Sequence, residues 1–153
     1  MADVEQMVRR ASRPTLYEEV QQFYARQMRL LDEHAVAEWA ETFTPDGVFA
    51  TQVDTTPAKG RHAIEAAAGE AASRRAAEGV RDRHWLGMLD VEEQPDGTIT
   101  ARSYALVVRT PLGGRSAIQA SCTCSDVLVR AGGRLQVRTR YVTRDDLSAG
   151  QGN

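Results

Sequence analysis

RHWLGMLDVEEQPDGTITARSYALVVRTPLGGRSAIQASCTCSDVLVRAGGRLQVRTRYVTRDD, residues 83–146, is the stretch that decides the fold. Here the pattern of the chain changes to a period of two, and turn residues interrupt it at Pro95-Asp96-Gly97, Pro111 to Gly114 and Ala131-Gly132-Gly133. Four strands are expected, at about 83–93, 98–109, 115–130 and 134–146. Hairpins join them, so they run antiparallel.

Upstream the period is helical. Leu16, Val20, Phe23, Tyr24, Leu30 and Leu31 recur at helical spacing behind Pro14 and Thr15, which predicts an amphipathic helix over 15–33. Val36, Trp39, Ala40 and Phe43 mark a second, short helix that stops at the turn sequence Thr44-Pro45-Asp46-Gly47. Residues 48–51 read as a short strand, and an irregular stretch runs through Pro57. A third helix follows over 60–78, its inner face (Ile64, Ala67, Ala68, Ala71, Ala72) mostly alanine, which permits close approach to a sheet. Helices followed by strands give an α+β class rather than a parallel doubly wound sheet. Long strands twist and curl. A curved antiparallel sheet with three helices over its concave face is a cone closed at one end, with a pocket inside. The expected division is an N-terminal extension over 1–14, one domain over 15–147 and a flexible polar tail over 148–153.

The chain has 153 residues, one domain's worth of polypeptide, and its 42% hydrophobic and 26% charged residues exclude wholesale disorder. Nineteen basic against twenty-one acidic residues leave a net charge of -2, with no basic block to neutralise phosphates, so nucleic acid is not an expected partner. No stretch approaches the ~20 apolar residues of a membrane span, and Met1–Arg10 lacks the hydrophobic segment of a secretory signal. The expectation is a cytoplasmic protein. Cys122 and Cys124 lie too close on one strand to close a useful loop and read as reduced thiols. Neither a phosphate-cradling glycine motif nor a set of metal ligands at the right spacing occurs, so no cofactor and no metal are expected.

The three histidines differ in setting. His34 closes the first helix and His62 opens the third, both as solvated residues. His84 begins an apolar strand, with Leu86 and Met88 on one face and Trp85, Leu89 and Val91 on the other, and is buried whichever face is inward. Residues alone leave two readings of it: a hydrogen-bonded core histidine, or a group that moves protons at neutral pH. Asp32 lies at the margin of the first helix's apolar stripe, either half-buried or an exposed acid near a helix C-terminus. Arg102, Arg138 and Arg140 read as a solvated or dimer-contacting strand face. Tyr24, Trp39, Phe49, Trp85, Tyr104 and Tyr141 are large side chains that can form core or line a flat cavity. A phenol at Tyr104 can donate to a developing enolate oxygen.

Leu30-Leu31-Asp32, Trp39 with Phe43-Thr44-Pro45-Asp46-Gly47, Lys59-Gly60-Arg61 and Arg83-His84-Trp85-Leu86-Gly87 carry a resemblance to a known family. In that order and spacing, over about residues 15–147, the chain resembles the nuclear-transport-factor-2-like superfamily in its SnoaL-like and scytalone-dehydratase-like branch. The resemblance implies a pocket-facing general acid/base at His84, a carboxylate partner at Asp32 and a homodimer. It also implies an aromatic or polyketide substrate; the expected contacts are Tyr24, Trp39, Phe49 and Tyr104, from their aromatic side chains, together with Arg109, Cys122 and Cys124, which stand at contact positions of the family pattern. At three positions the chain departs from the scytalone-dehydratase pattern. Cys122 and Cys124 stand where that pattern has a hydroxyl and an amide, and Arg109 stands at about the place of a second histidine, so a different substrate is implied. The implied activity is a dehydratase, cyclase or isomerase. Its rivals are an accessory subunit like the β-subunits of ring-hydroxylating dioxygenases, and epoxide opening, for which Asp126 is the one further pocket carboxylate.

Overall fold

The computed structural model describes residues 4–7 and 13–147. The tail expected over 148–153 lies outside the described residues, as does much of the extension over 1–14. Helix α1 spans Leu16–Asp32 and starts with a capping box: the Thr15 hydroxyl accepts from the Glu18 amide, and the Glu18 carboxylate accepts from the Thr15 amide. Val20, Phe23, Tyr24, Gln27 and Met28 form its buried face. The helix stops abruptly. His34, at φ 60°, takes the left-handed position that follows a helix, with its amide donating to Leu31 O and the Ala35 amide donating to Leu30 O. This paired stop fixes the last turn and with it Asp32. Helix α2, Val36–Ala40, adds the buried Trp39 and Ala40, and α3 spans Arg61–Glu78.

Six strands form one sheet: β1 Phe43–Thr51, β2 Ala58–Lys59, β3 Val80–Glu93, β4 Ile99–Pro111, β5 Ala117–Ala131 and β6 Arg134–Arg144. Their order is β2-β1-β6-β5-β4-β3. The four expected strands are present, and β3 to β6 pair antiparallel as neighbours in sequence. The sheet is nonetheless mixed, because β1 runs parallel to β6. The Thr44–Gly47 turn does not precede the strand but lies within β1, where pairing with β6 jumps between Phe43 and Val48. Glycine suits the close approach there, since a Cβ at Gly47 would lie 3.0 Å from Thr44 O. The short β2 and the hydrogen bond from the Gly60 amide to Gly47 O lead the chain into α3.

Bulges settle which side chains face inward. In β3 an extra residue sits between Gly87 and Asp90, and Met88 there has φ 51°. The strict alternation expected of β3 is thereby broken: His84 and Leu86 face inward before the bulge, and Leu89 and Val91 pack on the core after it. Trp85 and Met88 are left exposed. In β6, Val137 and Thr139 pair with the adjacent Leu128 and Val127, so an extra residue at Arg138 shifts the phase of the strand. Leu135 and Val137 are buried on one side of this point, and Arg140 is buried on the other. Arg140 therefore does not share a solvated face with Arg102 and Arg138, which are exposed. Bulges bend strands and increase their twist, which curls the sheet around the helices. The core joins Val20, Phe23, Tyr24, Trp39, Phe43 and Ile64 from the helical side and β1 to Ile99, Leu128 and Val137 of the sheet.

Candidate active site

A cavity of about 400 Å³ lies between the helices and the curled sheet. Its helical wall is Met28, Leu31, Trp39, Ile64 and the alanines of α3, whose small side chains leave space that leucine would fill. Its sheet wall is His84 and Leu86 of β3, Ala105 and Val107 of β4, Cys122 and Cys124 of β5, and Arg140 and Val142 of β6. Asp54 and Thr56, from the segment between β1 and β2, complete the lining with Phe49 and Arg75. The volume is that of a small-molecule site, apolar with a few polar groups.

His84 and Asp32 are in direct contact. The Asp32 carboxylate receives two groups of the same residue: His84 Nδ1 at 2.6 Å on Oδ1, and the His84 main-chain N–H at 3.0 Å on Oδ2. Strand β3 is the sheet edge, so this amide has no strand partner on its outer side, and α1 supplies one through Asp32. The side chains are 17% and 7% exposed. Asp32 does not line the cavity. It sits behind the imidazole, on a surface groove between α1 and β3 shared with Tyr17, Trp85 and Met88. The ring thus separates groove from cavity, with Nδ1 engaged and Nε2 the nitrogen left for a ligand. A carboxylate on one imidazole nitrogen fixes the tautomer and stabilises the imidazolium, which suits the other nitrogen to proton transfer.

On the β6 side of the sheet wall lies a buried ion pair. Arg140 donates from Nε to Asp126 Oδ1 at 2.9 Å and from Nη2 to Asp126 Oδ2 at 2.7 Å and Gln27 Oε1 at 2.7 Å. Tyr24 donates its hydroxyl to Asp126 Oδ2 at 2.6 Å, and Cys124 Sγ lies 3.4 Å from Oδ1. Burial is the main cause that pushes the Cys124 thiol up to about 12, with Arg140 pulling down and Asp126 pushing up. Burial and then Asp126 also hold the Tyr24 phenol far above its ordinary value. Cys122 is raised as well, again chiefly by burial. Both cysteines are free, buried, neutral thiols.

The SnoaL-like domain family matches residues 12–141. The chain belongs to this family. Its fold is that of the nuclear-transport-factor-2-like superfamily. Among solved structures, ActVI-ORFA from Streptomyces coelicolor is 36% identical, with 86% of this chain and 98% of that one covered and a TM-score of 0.80. Aln2, from another Streptomyces strain, is 41% identical, with 88% and 94% covered and a TM-score of 0.80. A protein of Catenulispora acidiphila, solved in complex with S-DNPA, is 44% identical, with 86% and 94% covered and a TM-score of 0.77. No curated protein matches the chain. No helix among the described residues is long and apolar enough to cross a membrane.

Within this SnoaL-like protein the residues expected to contact substrate divide. Trp39, Phe49, Cys122 and Cys124 line the cavity. Tyr24 is 4% exposed and committed to Asp126, so it is part of the core and not of the lining. Tyr104 is on the convex face, 62% exposed, and cannot reach the cavity. It pairs with Gly87 across the ladder and, like Trp85, points away from the face that carries His84. Arg109 is also outside the lining: its guanidinium grips Asp82 with 2.7 and 2.8 Å hydrogen bonds. Arg75 binds the same carboxylate at 2.7 Å and does line the cavity. The sequence reading missed Arg75 and Arg140. For Arg140 the available signal was Asp126, an acid on an inward strand face that needed a cation opposite. His34 and His62 are exposed, as expected.

Proposed function

We propose that this SnoaL-like protein is a cofactor-free dehydratase, cyclase or isomerase of an aromatic or polyketide intermediate, with His84 as general acid/base and Asp32 as its orienting partner. The observation that carries the reading is the 2.6 Å Asp32–His84 contact in the wall of an apolar cavity of small-molecule size. Binding of a small molecule is further supported by likeness to the relative solved with S-DNPA.

In the dehydration, a β-hydroxy ketone lies with its Cα–H toward His84 Nε2. The imidazole takes that proton, the C–H electron pair becomes the new C=C, and the Cβ–O bond breaks toward oxygen. The imidazolium then gives its proton to the departing hydroxyl, so water and the enone leave and the histidine is restored. Asp32 keeps Nδ1 protonated throughout and offsets the transient positive charge. Isomerisation or cyclisation uses the same first proton transfer with a different fate for the enolate. Epoxide opening gains little from Asp126, whose oxygens are already taken by Arg140, Tyr24 and Cys124.

The test uses 3-hydroxy-1-tetralone, a β-hydroxy ketone whose dehydration yields fluorescent 1-naphthol. Catalysed release by the wild type, lost in a folded His84→Gln protein, supports the proposal. Equal rates with both proteins, or a rate matching buffer, would remove it. We further propose a homodimer through the convex sheet face, where Trp85, Tyr104 and Tyr141 are 70%, 62% and 47% exposed. A monomer mass in sedimentation equilibrium overturns that.

A further inference from the structure

Arg140 is a permanent cation with five N–H donors, and three of them are spent: Nε on Asp126, and Nη2 on Asp126 and Gln27. No described side chain or main-chain oxygen takes the two N–H groups of Nη1. The side chain is 4% exposed, and the residue lines the cavity. Among the described residues the fully enclosed side-chain atoms without a partner are Trp39 Nε1, Thr44 Oγ1 and Ser103 Oγ, and Nη1 is not one of them. The surface it retains is therefore surface toward the cavity. The guanidinium cannot swing away to find a partner. Asp126 grips it in two places, Gln27 in a third, and its Cζ lies 5.7 Å from the Tyr24 ring centroid and 5.5 Å from that of Phe43.

Charged N–H donors left over at the wall of an apolar chamber select an oxygen acceptor. The charge balance selects which kind. Asp126 already neutralises Arg140, and the neighbouring Cys124 and Tyr24 are both held in their neutral forms by burial and by Asp126. A second anion would be unbalanced there, whereas a neutral carbonyl gains the hydrogen bonds without that cost. Arg75 offers a contrast, since it is 21% exposed and water can serve its remaining N–H groups.

Position fixes which oxygen it is. Across the ladders Arg140 lines up through Asp126 and Ala101 with Val91, so it stands three strand spacings, about 14 Å, from β3 and a further stretch of about 20 Å along the strand from His84, a separation that the curl of the sheet shortens. Both residues nonetheless line one cavity, at its two ends, so a single ring reaches only one of them, whereas a linear fused-ring skeleton extends from one toward the other.

We infer that Arg140 Nη1 anchors a neutral ketone or quinone oxygen at the end of a fused-ring substrate remote from His84. This deepens the proposed function and rests on its reading of the cavity as an aromatic site, but it is tested by binding, without turnover. Fluorescence titration compares a three-ring ketone, 3,4-dihydroanthracen-1(2H)-one, with its hydrocarbon parent 1,2,3,4-tetrahydroanthracene and with anthracene-2-carboxylate. The perturbation is the paired replacement Asp126→Leu with Arg140→Met, which removes both buried charges together.

The expected result is that the ketone-to-hydrocarbon affinity ratio falls about ten-fold or more in the double variant, with hydrocarbon binding kept, and that wild type prefers the ketone to the carboxylate. An unchanged ratio, or tightest wild-type binding of the carboxylate, overturns the inference. Should the double variant not fold, a crystal structure of the wild-type ketone complex decides: the oxygen within hydrogen-bond reach of Nη1 supports it, and the oxygen elsewhere overturns it. Binding of none of the three probes sinks the aromatic reading of the cavity and this inference with it, whereas loss of turnover alone touches only the dyad.

Discussion

Replacing Asp32 by asparagine changes one atom type and isolates the role of the carboxylate. In the wild type both carboxylate oxygens accept, one from His84 Nδ1 and one from the His84 main-chain amide. Asparagine has a single acceptor oxygen, and the main-chain amide can only donate, so the amide oxygen must turn toward the backbone. The NH2 group then faces Nδ1, which must become an acceptor, and the ring proton moves to Nε2. The nitrogen facing the cavity is no longer a base. Two charge-assisted hydrogen bonds become neutral ones, costing about 1–2 kcal/mol, or roughly 3–6 °C in Tm for a domain of this size. Proton abstraction should fall by about 10²- to 10⁴-fold. Long-range ¹H–¹⁵N spectra of protein labelled at histidine read the tautomer directly, and with three histidines in the chain His84 is assigned by difference against His84→Gln. The expected spectra report the proton on Nδ1 in the wild type and on Nε2 in Asp32→Asn. The same tautomer in both proteins, or full dehydration of 3-hydroxy-1-tetralone by the variant, would refute the assigned role of Asp32.

Other outcomes follow from the buried charges. Asp126→Ala leaves Arg140 buried with only Gln27 as a side-chain partner and should cost about 3–5 kcal/mol in urea unfolding, far more than loss of an exposed pair such as Arg102–Asp90. Iodoacetamide at pH 8 should leave Cys124 unmodified in the folded protein and alkylate both cysteines in urea, as counted by mass spectrometry, because burial holds the Cys124 thiol at about 12. Asp82 is held below its ordinary 3.8, first by the Arg109 hydrogen bonds and then by Arg75, against a desolvation that pushes it up. A depressed folded value stabilises above the unfolded-state value and is lost as pH falls through the folded one. Asp82→Asn should therefore melt below the wild type at pH 7, and the two melting curves should converge in acid below pH 3.8.

The strands β3 to β6 and the helices α1 and α3 were legible because each is long and strongly patterned, with clear stops: the Thr15 cap, and the glycine-bearing turns between strands. The contact between Asp32 and His84 followed from the family resemblance, not from either residue alone. What sequence pattern hid was phase. One extra residue in β3 turns Leu89 and Val91 to the same side as His84, and one in β6 turns Arg140 inward, beside Asp126. A bulge leaves no mark in composition, and strict alternation carried past it assigns every later side chain to the wrong face. Tyr104 and Arg109 were misplaced for a related reason. Tyr104 was singled out for its phenol and Arg109 from the family pattern, and both routes place a residue along a strand, whereas the side it faces depends on local register.

The amide hydrogen of His84 is held by a side chain of α1 and not by a neighbouring strand. Its exchange with deuterium therefore need not await opening of the sheet; it proceeds whenever the helix lifts from the marginal strand. That one proton becomes an intrinsic gauge of how often the acid and the imidazole part company. The fraction of time the pair is disarmed can be timed in a resting protein, with no substrate in hand.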